Sequence, residues 1–348
     1  MAITKFDRRY FHNILTHYNA IEALKNNIMP SPRFCTLQTS NQCNQHCQGC
    51  SFGHHDVQLD GRIMTWEDHK KILIDLIDVG IKSFEFCGGG EPTCLPYLLN
   101  ALKFIHSRGC HFGMITNGLL LSDELINFVI DYGTYIRISL ETANSSVYQE
   151  YKKVPELHYS RVLDHMRALV ERKHSSGSLC DIGIKFGVSK TLCNYSHFEE
   201  AIELANEFQP DSIQFKCLRH KPEELSLEDK KIQNSILQLL KEKCSVPIID
   251  WLIPYYPQDV PQCWLNPLHT VVDYLGDVYL CCYYYYRERE HKLGNMLRTP
   301  FSKLWYSQEH WDRIRSIDRH KCALVDCKFF GHHRVVDEAF INGRQEFL

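Results

Sequence analysis

Between residues 34 and about 217 the chain alternates two hydrophobic rhythms. Short β-rich runs at 34–39, 83–87, 111–116, 135–140, 183–188 and 212–216 read as strands. Between them lie stretches whose apolar residues recur every three or four positions, as on one face of a helix. Within 66–79, Ile72, Leu73, Leu76 and Ile77 form such a stripe, and the pattern recurs over 198–208 and 228–243. Strands alternating with amphipathic helices predict parallel βα units. An amphipathic helix is expected over 7–27. The C-terminal third differs, with more cysteine and aromatic residues and short strand-like runs.

Composition narrows the function classes. At 348 residues the chain can bury a large core, enough for one main domain and a small one. Its 39 Lys and Arg against 42 Asp and Glu leave a net charge of −3, which gives no footprint for nucleic acid. The start, Met1-Ala2-Ile3-Thr4-Lys5-Phe6-Asp7, has no apolar signal region, and no run is apolar enough to span a bilayer. No membrane partner and a cytoplasmic location are expected. Sixteen cysteines in such a chain argue for reduced thiols and metal ligation.

Three of those thiols, Cys43, Cys47 and Cys50, follow the first strand as CxxxCxxC. Four thiolates would close a structural zinc or a fully ligated cluster, whereas three leave one metal corner open for chemistry. In parallel barrels, functional residues gather at the C-terminal ends of strands. The second strand is followed there by Gly88-Gly89-Gly90-Glu91-Pro92, where backbone can approach a ligand closely, and the third by Thr116-Asn117-Gly118. Ser139 and Glu141 alternate onto one face of the fourth strand, and an acidic group there suits hydroxyl donors. Asn194 reads as a helix cap.

Together these segments resemble the radical S-adenosylmethionine (radical SAM) superfamily with a C-terminal SPASM/twitch-type extension, from about residue 34 to 333. The resemblance implies an α/β fold: a partial (β/α)6 TIM-like barrel with a small C-terminal α+β cluster-binding domain. The corresponding divisions are 1–33 as a helical extension, 34–245 as the barrel and 246–348 as the auxiliary domain. It implies a [4Fe-4S] cluster on Cys43, Cys47 and Cys50 whose open iron binds SAM. By the same resemblance, Gly88, Gly89, Gly90, Glu91, Asn117, Ser139, Glu141, Lys185 and Ser189 hold SAM. Gly49 stands where the family commonly has an aromatic residue, so Phe52 is the candidate for stacking on adenine.

The later segment Cys263-x12-Gly276-x4-Cys281, closed by Cys322-x4-Cys327, resembles the SPASM/twitch pattern. It implies one auxiliary [4Fe-4S] cluster on Cys263, Cys281, Cys322 and Cys327. Cys282 competes with Cys281, His332 and His333 are further ligand candidates, and a structural zinc is the alternative. The Tyr283 to Tyr286 run reads as packing.

The implied chemistry begins with an electron from a flavodoxin- or ferredoxin-like donor, which cleaves SAM to a 5′-deoxyadenosyl radical that takes a hydrogen atom. Loss of an electron to the auxiliary cluster would then give oxidation. Return of a hydrogen atom from a cysteine would give epimerisation, with Cys217 the candidate donor and Cys87 and Cys94 behind it. Decarboxylation and bond formation stay open. The short stretch before residue 34 tilts the expected substrate toward a small polar molecule of aminocyclitol, amino-sugar or nucleoside type. The alternatives are a maturase of ribosomally made peptides and a non-catalytic iron–sulfur or zinc scaffold.

Overall fold

In this computed structural model the described residues are 11–50, 52, 60–218, 223–252, 262–282, 288–319, 322, 327 and 329–341. Their strands are β1 (Phe34–Gln38), β2 (Ser83–Phe86), β3 (His111–Thr116), β4 (Tyr135–Glu141) and β5 (Asp181–Val188), followed by β6 (Ser212–Cys217), β7 (Ile248–Trp251), β8 (His269–Asp273), β9 (Asp277–Tyr279) and β10 (Lys292–Asn295). The helices are α1 (Tyr18–Lys25), α2 (Trp66–Asp78), α3 (Leu98–Ser107), α4 (Asp123–Tyr132), α5 (Ser145–Lys152) and α6 (Leu157–Ser176). They continue as α7 (Tyr195–Phe208), α8 (Leu227–Leu240), α9 (Glu288–His291), α10 (Phe301–Trp305), α11 (Gln308–Ser316) and α12 (Phe330–Val336). The chain forms two compact units, one of residues 1–37, 64–84 and 254–348, the other of 38–63 and 85–253. The expected α/β architecture, with a mostly parallel barrel-type sheet and a C-terminal α+β region, is the one observed.

In the second unit β3, β4, β5, β6 and β7 lie side by side, every neighbouring pair parallel. Along β5, Ile182, Ile184, Phe186 and Val188 are buried. Phe186 meets Phe215 of β6 at 5.6 Å, and Phe215 meets Phe198 of α7 at 4.9 Å. Burying each phenylalanine contributes about 2–3 kcal/mol. A different constraint governs Gly113 and Gly183. A Cβ on Gly113 would lie 2.3 Å from the Tyr135 ring, and one on Gly183 would lie 2.9 Å from Arg137 Nε. The neighbouring strand can carry those large polar side chains because glycine stands opposite.

Helix starts follow their side-chain caps. Ser122, Asn144, Asn194 and Ser226 each accept a backbone N–H three residues on, and Ser226 with Asp229 completes a capping box. Asn194 therefore has the capping role expected of it. All six expected strands are present within two residues of their expected ends. Strand β7 was not foreseen: its four residues are too few to establish a period. Helix α8 stops at Leu240 and continues only as a 3-10 turn, Lys241–Lys243.

The first unit holds β8, β9 and β10 with most of β1 and the start of β2, in the order β10-β9-β8-β1-β2, with β8–β9 and β9–β10 antiparallel. Gly276, at φ 78°, makes the β8–β9 turn that a side chain would strain. Ile14, Ala20, Ile21 and Leu24 pack in one core with Trp264, Leu268 and Val336. The expected helix over 7–27 is a 3-10 stretch, Phe11–His17, leading into α1; residues 7–10 lie outside the described residues.

Candidate active site

Cys43, Cys47 and Cys50 are half-buried on a loop of the second unit. The end of α5 holds that loop. Its last carbonyls, which have no partner within the helix, accept His46 N–H (Lys152 O, 3.1 Å) and Gln48 N–H (Tyr151 O, 2.9 Å). Gln45 Nε2 donates to the Tyr148 hydroxyl at 2.9 Å, and the Tyr151 hydroxyl accepts Gly49 N–H. A Cβ at Gly49 would lie 2.2 Å from that hydroxyl, so an aromatic residue has no room there. Cys47 packs against Tyr151, Leu192 and Leu218.

The glycine run meets the same loop from the other flank. Gly90 N–H bonds Ser40 O at 2.7 Å, and Glu91 N–H bonds Gln42 O at 2.8 Å. A Cβ would sit 2.6 Å from Ser40 O at Gly89 and 2.0 Å from Gln42 O at Gly90. These glycines are thus required by the backbone leading into Cys43. At Gly88 the neighbours are Gln38 and the Phe52 ring, whose Cζ is 3.2 Å from the Cβ position. Glu91 is buried and committed to the protein, accepting from Thr93, Thr116 and the Asn117 N–H. The Asn117 side chain donates to Asn44 Oδ1 at 2.6 Å.

A buried charge cluster completes the set. Glu141 Oε1 accepts from Lys185 Nζ at 2.7 Å, while Lys152 Nζ, also buried, donates to Ser139 O at 2.7 Å. Burial would raise the Glu141 carboxyl, but Lys185, Lys152 and Lys216 outweigh it and hold it below its usual range. Burial would lower Lys152, but the thiolate form of Cys47 and the Glu141 carboxylate outweigh it and raise the ammonium above its usual range. Burial pushes Cys43 up to about 12, with Glu91, Cys47 and Cys50 adding to the effect, and Cys47 also rises. Metal ligation would have to overcome that cost by binding the thiolates.

Two buried polar atoms here have no hydrogen-bond partner among the described residues: Glu141 Oε2 and Asn44 Nδ2. Three thiols with an unmatched acceptor and an unmatched donor fit the donor set of a cluster with an open corner and an amino-acid ligand. Among the described residues, no three His, Cys, Asp or Glu side chains converge as ligands of a single ion. Other candidate side chains have partners within the protein. The Ser189 hydroxyl donates to Glu223 at 2.7 Å, and the buried Cys217 thiol donates to Leu252 O at 3.4 Å. Cys87 donates to Glu85 at 3.3 Å, and Cys94 accepts the Asn44 backbone N–H. Lys152, Tyr151 and Asn44 were not foreseen; only the polar Asn44 inside the cysteine motif offered a signal.

The later cysteines lie in the first unit, all half-buried. Burial pushes Cys263 up to about 12, with Cys322 adding, and raises Cys327, to which Cys263, Cys322 and Cys282 contribute. Cys282 thus lies within electrostatic reach of Cys327. His333 Nδ1 accepts the Trp264 N–H at 3.1 Å, so that nitrogen serves the backbone beside Cys263. The Tyr283 to Tyr286 run lies outside the described residues.

Comparison with known proteins gives two family matches: "Radical SAM superfamily" over residues 37–185, and SPASM, "Iron-sulfur cluster-binding domain", over 263–328. PqqA peptide cyclase of Bradyrhizobium diazoefficiens is 30% identical over 113 residues, 32% of this chain and 29% of that protein. An S-adenosylmethionine-dependent nucleotide dehydratase of Flammeovirga pacifica is 23% identical over 190 residues, 53% of this chain and 61% of that one. The chain spans less than two thirds of either curated relative. The crystal structure of Streptococcus suis SuiB bound to precursor peptide SuiA matches with a TM-score of 0.68 at 17% identity, covering 88% of this chain and 72% of that one. That likeness is one of fold.

Proposed function

We propose that this chain, which belongs to the radical SAM superfamily and carries a SPASM cluster-binding domain, modifies a ribosomally made peptide by radical chemistry. A [4Fe-4S] cluster and SAM, when bound, supply a 5′-deoxyadenosyl radical able to take a hydrogen atom from an unactivated carbon. Cys43, Cys47 and Cys50 would hold the cluster. Glu141 offers Oε2 to a hydroxyl or ammonium donor, Lys185 fixes its other oxygen, and Lys152 balances negative charge beside Cys47. The Gly88 to Gly90 turn and α5 keep the loop in register. Cys263, Cys322, Cys327 and either Cys281 or Cys282 would hold an auxiliary cluster. A flavodoxin- or ferredoxin-type protein would deliver the electron.

The observation that carries the peptide reading is the 30% identity to a protein named for a peptide substrate, PqqA peptide cyclase. A precursor peptide bound by SuiB is in keeping with it. This reverses the sequence-based preference for a small polar molecule. The nucleotide dehydratase, matched over 53% of this chain, favours a nucleotide as the second reading. The test is 5′-deoxyadenosine release by reconstituted enzyme with SAM and reductant, given peptide or low-mass fractions of a host extract. Stimulation confined to peptides supports the proposal; stimulation confined to the low-mass fraction refutes it in favour of the second reading.

A further inference from the structure

Asn44 directly follows Cys43, and a chain of hydrogen bonds determines which way its amide faces. The Asn117 N–H donates to Glu91 Oε2 at 2.8 Å, anchoring that residue. Asn117 Oδ1 accepts the Leu119 N–H at 3.0 Å, which leaves Asn117 Nδ2 as the atom 2.6 Å from Asn44 Oδ1. The oxygen of Asn44 therefore faces Asn117 and its nitrogen faces away. Turning the Asn44 amide over would set two donors against each other. Nδ2 is buried and no described residue accepts from it. A buried amide donor left unsatisfied is destabilising, so one in a native protein calls for an explanation such as a water, an ion or a ligand.

We propose that Asn44 is a positioning residue whose Nδ2 donates a hydrogen bond to an anionic acceptor of the bound cofactor, either a cluster sulfur or the SAM carboxylate. The proposal rests on the reading that Cys43, Cys47 and Cys50 hold the cluster. A donor to cluster sulfur stabilises the more negative, reduced state and so raises the reduction potential. A donor to the SAM carboxylate adds to SAM affinity instead.

The test compares iron-loaded holoenzyme with Asn44→Asp and Asn44→Leu. The first keeps an oxygen for Asn117 and removes the donor; the second removes the donor without adding charge. Two quantities are read: the midpoint potential of the SAM-responsive EPR signal, and SAM affinity by equilibrium binding. With a sulfur acceptor, both variants shift the signal to more negative potential. With a carboxylate acceptor, both bind SAM about tenfold more weakly at unchanged potential. Wild-type values in Asn44→Leu overturn the proposal, including the case where Asn44→Asp alone changes, which would be a charge effect. Should Asn44→Leu lose its fold, Asn44→Ala makes the same comparison. A wild-type protein with full iron but no SAM-responsive signal would instead defeat the reading of the three cysteines.

Discussion

Glu141 has φ 76° where the β4–β5 register slips, a conformation that costs a non-glycine residue about 1–3 kcal/mol. The same residue keeps one buried oxygen without a partner. Strain and an unmatched acceptor together support the proposed role of Glu141 in holding SAM. In Glu141→Gln one position still accepts from Lys185, but the unmatched position becomes a donor. SAM affinity should fall about tenfold in anaerobic equilibrium binding, and unchanged affinity would remove Glu141 from the site. A second carboxylate gives a pH signature. Burial, then the charge of Asp277, raises Asp273 from 3.8 to about 6, although N–H groups of Leu275 and Asp277 favour its charged form. The folded protein therefore holds this proton more tightly than the unfolded chain. Its stabilising contribution is full below the unfolded value and is lost as pH rises toward 6. Between about pH 4 and 6 the wild type should lose on the order of 2–3 kcal/mol relative to Asp273→Asn. Urea unfolding of both proteins across that range checks the difference.

At the scale of elements, the cysteine loop is clamped between the glycine turn and the end of α5. Gly90→Ala would place a Cβ 2.0 Å from Gln42 O, a backbone atom with little freedom to withdraw. The variant should lose about 2–3 kcal/mol of stability and iron content with it, read by denaturation and iron analysis. The clamp was only half legible in the sequence. Gly88, Gly89 and Gly90 stand out as a motif, but the reason for Gly89 and Gly90, the backbone of Ser40 and Gln42, is a contact across forty-odd positions that local pattern does not encode. Tyr151 and Lys152 gave less signal still, because in an amphipathic helix an aromatic and a lysine look like ordinary packing and surface. Strands β1 to β6 were readable because a strand–helix alternation declares itself in hydrophobic period. Pattern offers Glu91 and Ser189 as ligand candidates but gives no sign of their partners within the fold, Thr116 and Asn117 for the one and Glu223 for the other.

At the scale of the whole molecule, each compact unit carries its own cysteine set: Cys43, Cys47 and Cys50 in one, Cys263, Cys281, Cys282, Cys322 and Cys327 in the other. The two sets should load iron separately. Cys322→Ser with Cys327→Ser should lower iron content while leaving the SAM-responsive EPR signal in place; loss of both signals together would refute that independence. No described helix is long and apolar enough to cross a membrane. The most direct measurement of the central claim is 5′-deoxyadenosine formed from SAM under strong reductant, comparing wild type with the variant carrying Cys43→Ala, Cys47→Ala and Cys50→Ala. The account predicts product from wild type alone, with the auxiliary cluster still visible in the variant. Equal product from both proteins, or none from a fully loaded wild type given the peptide fraction, would contradict it.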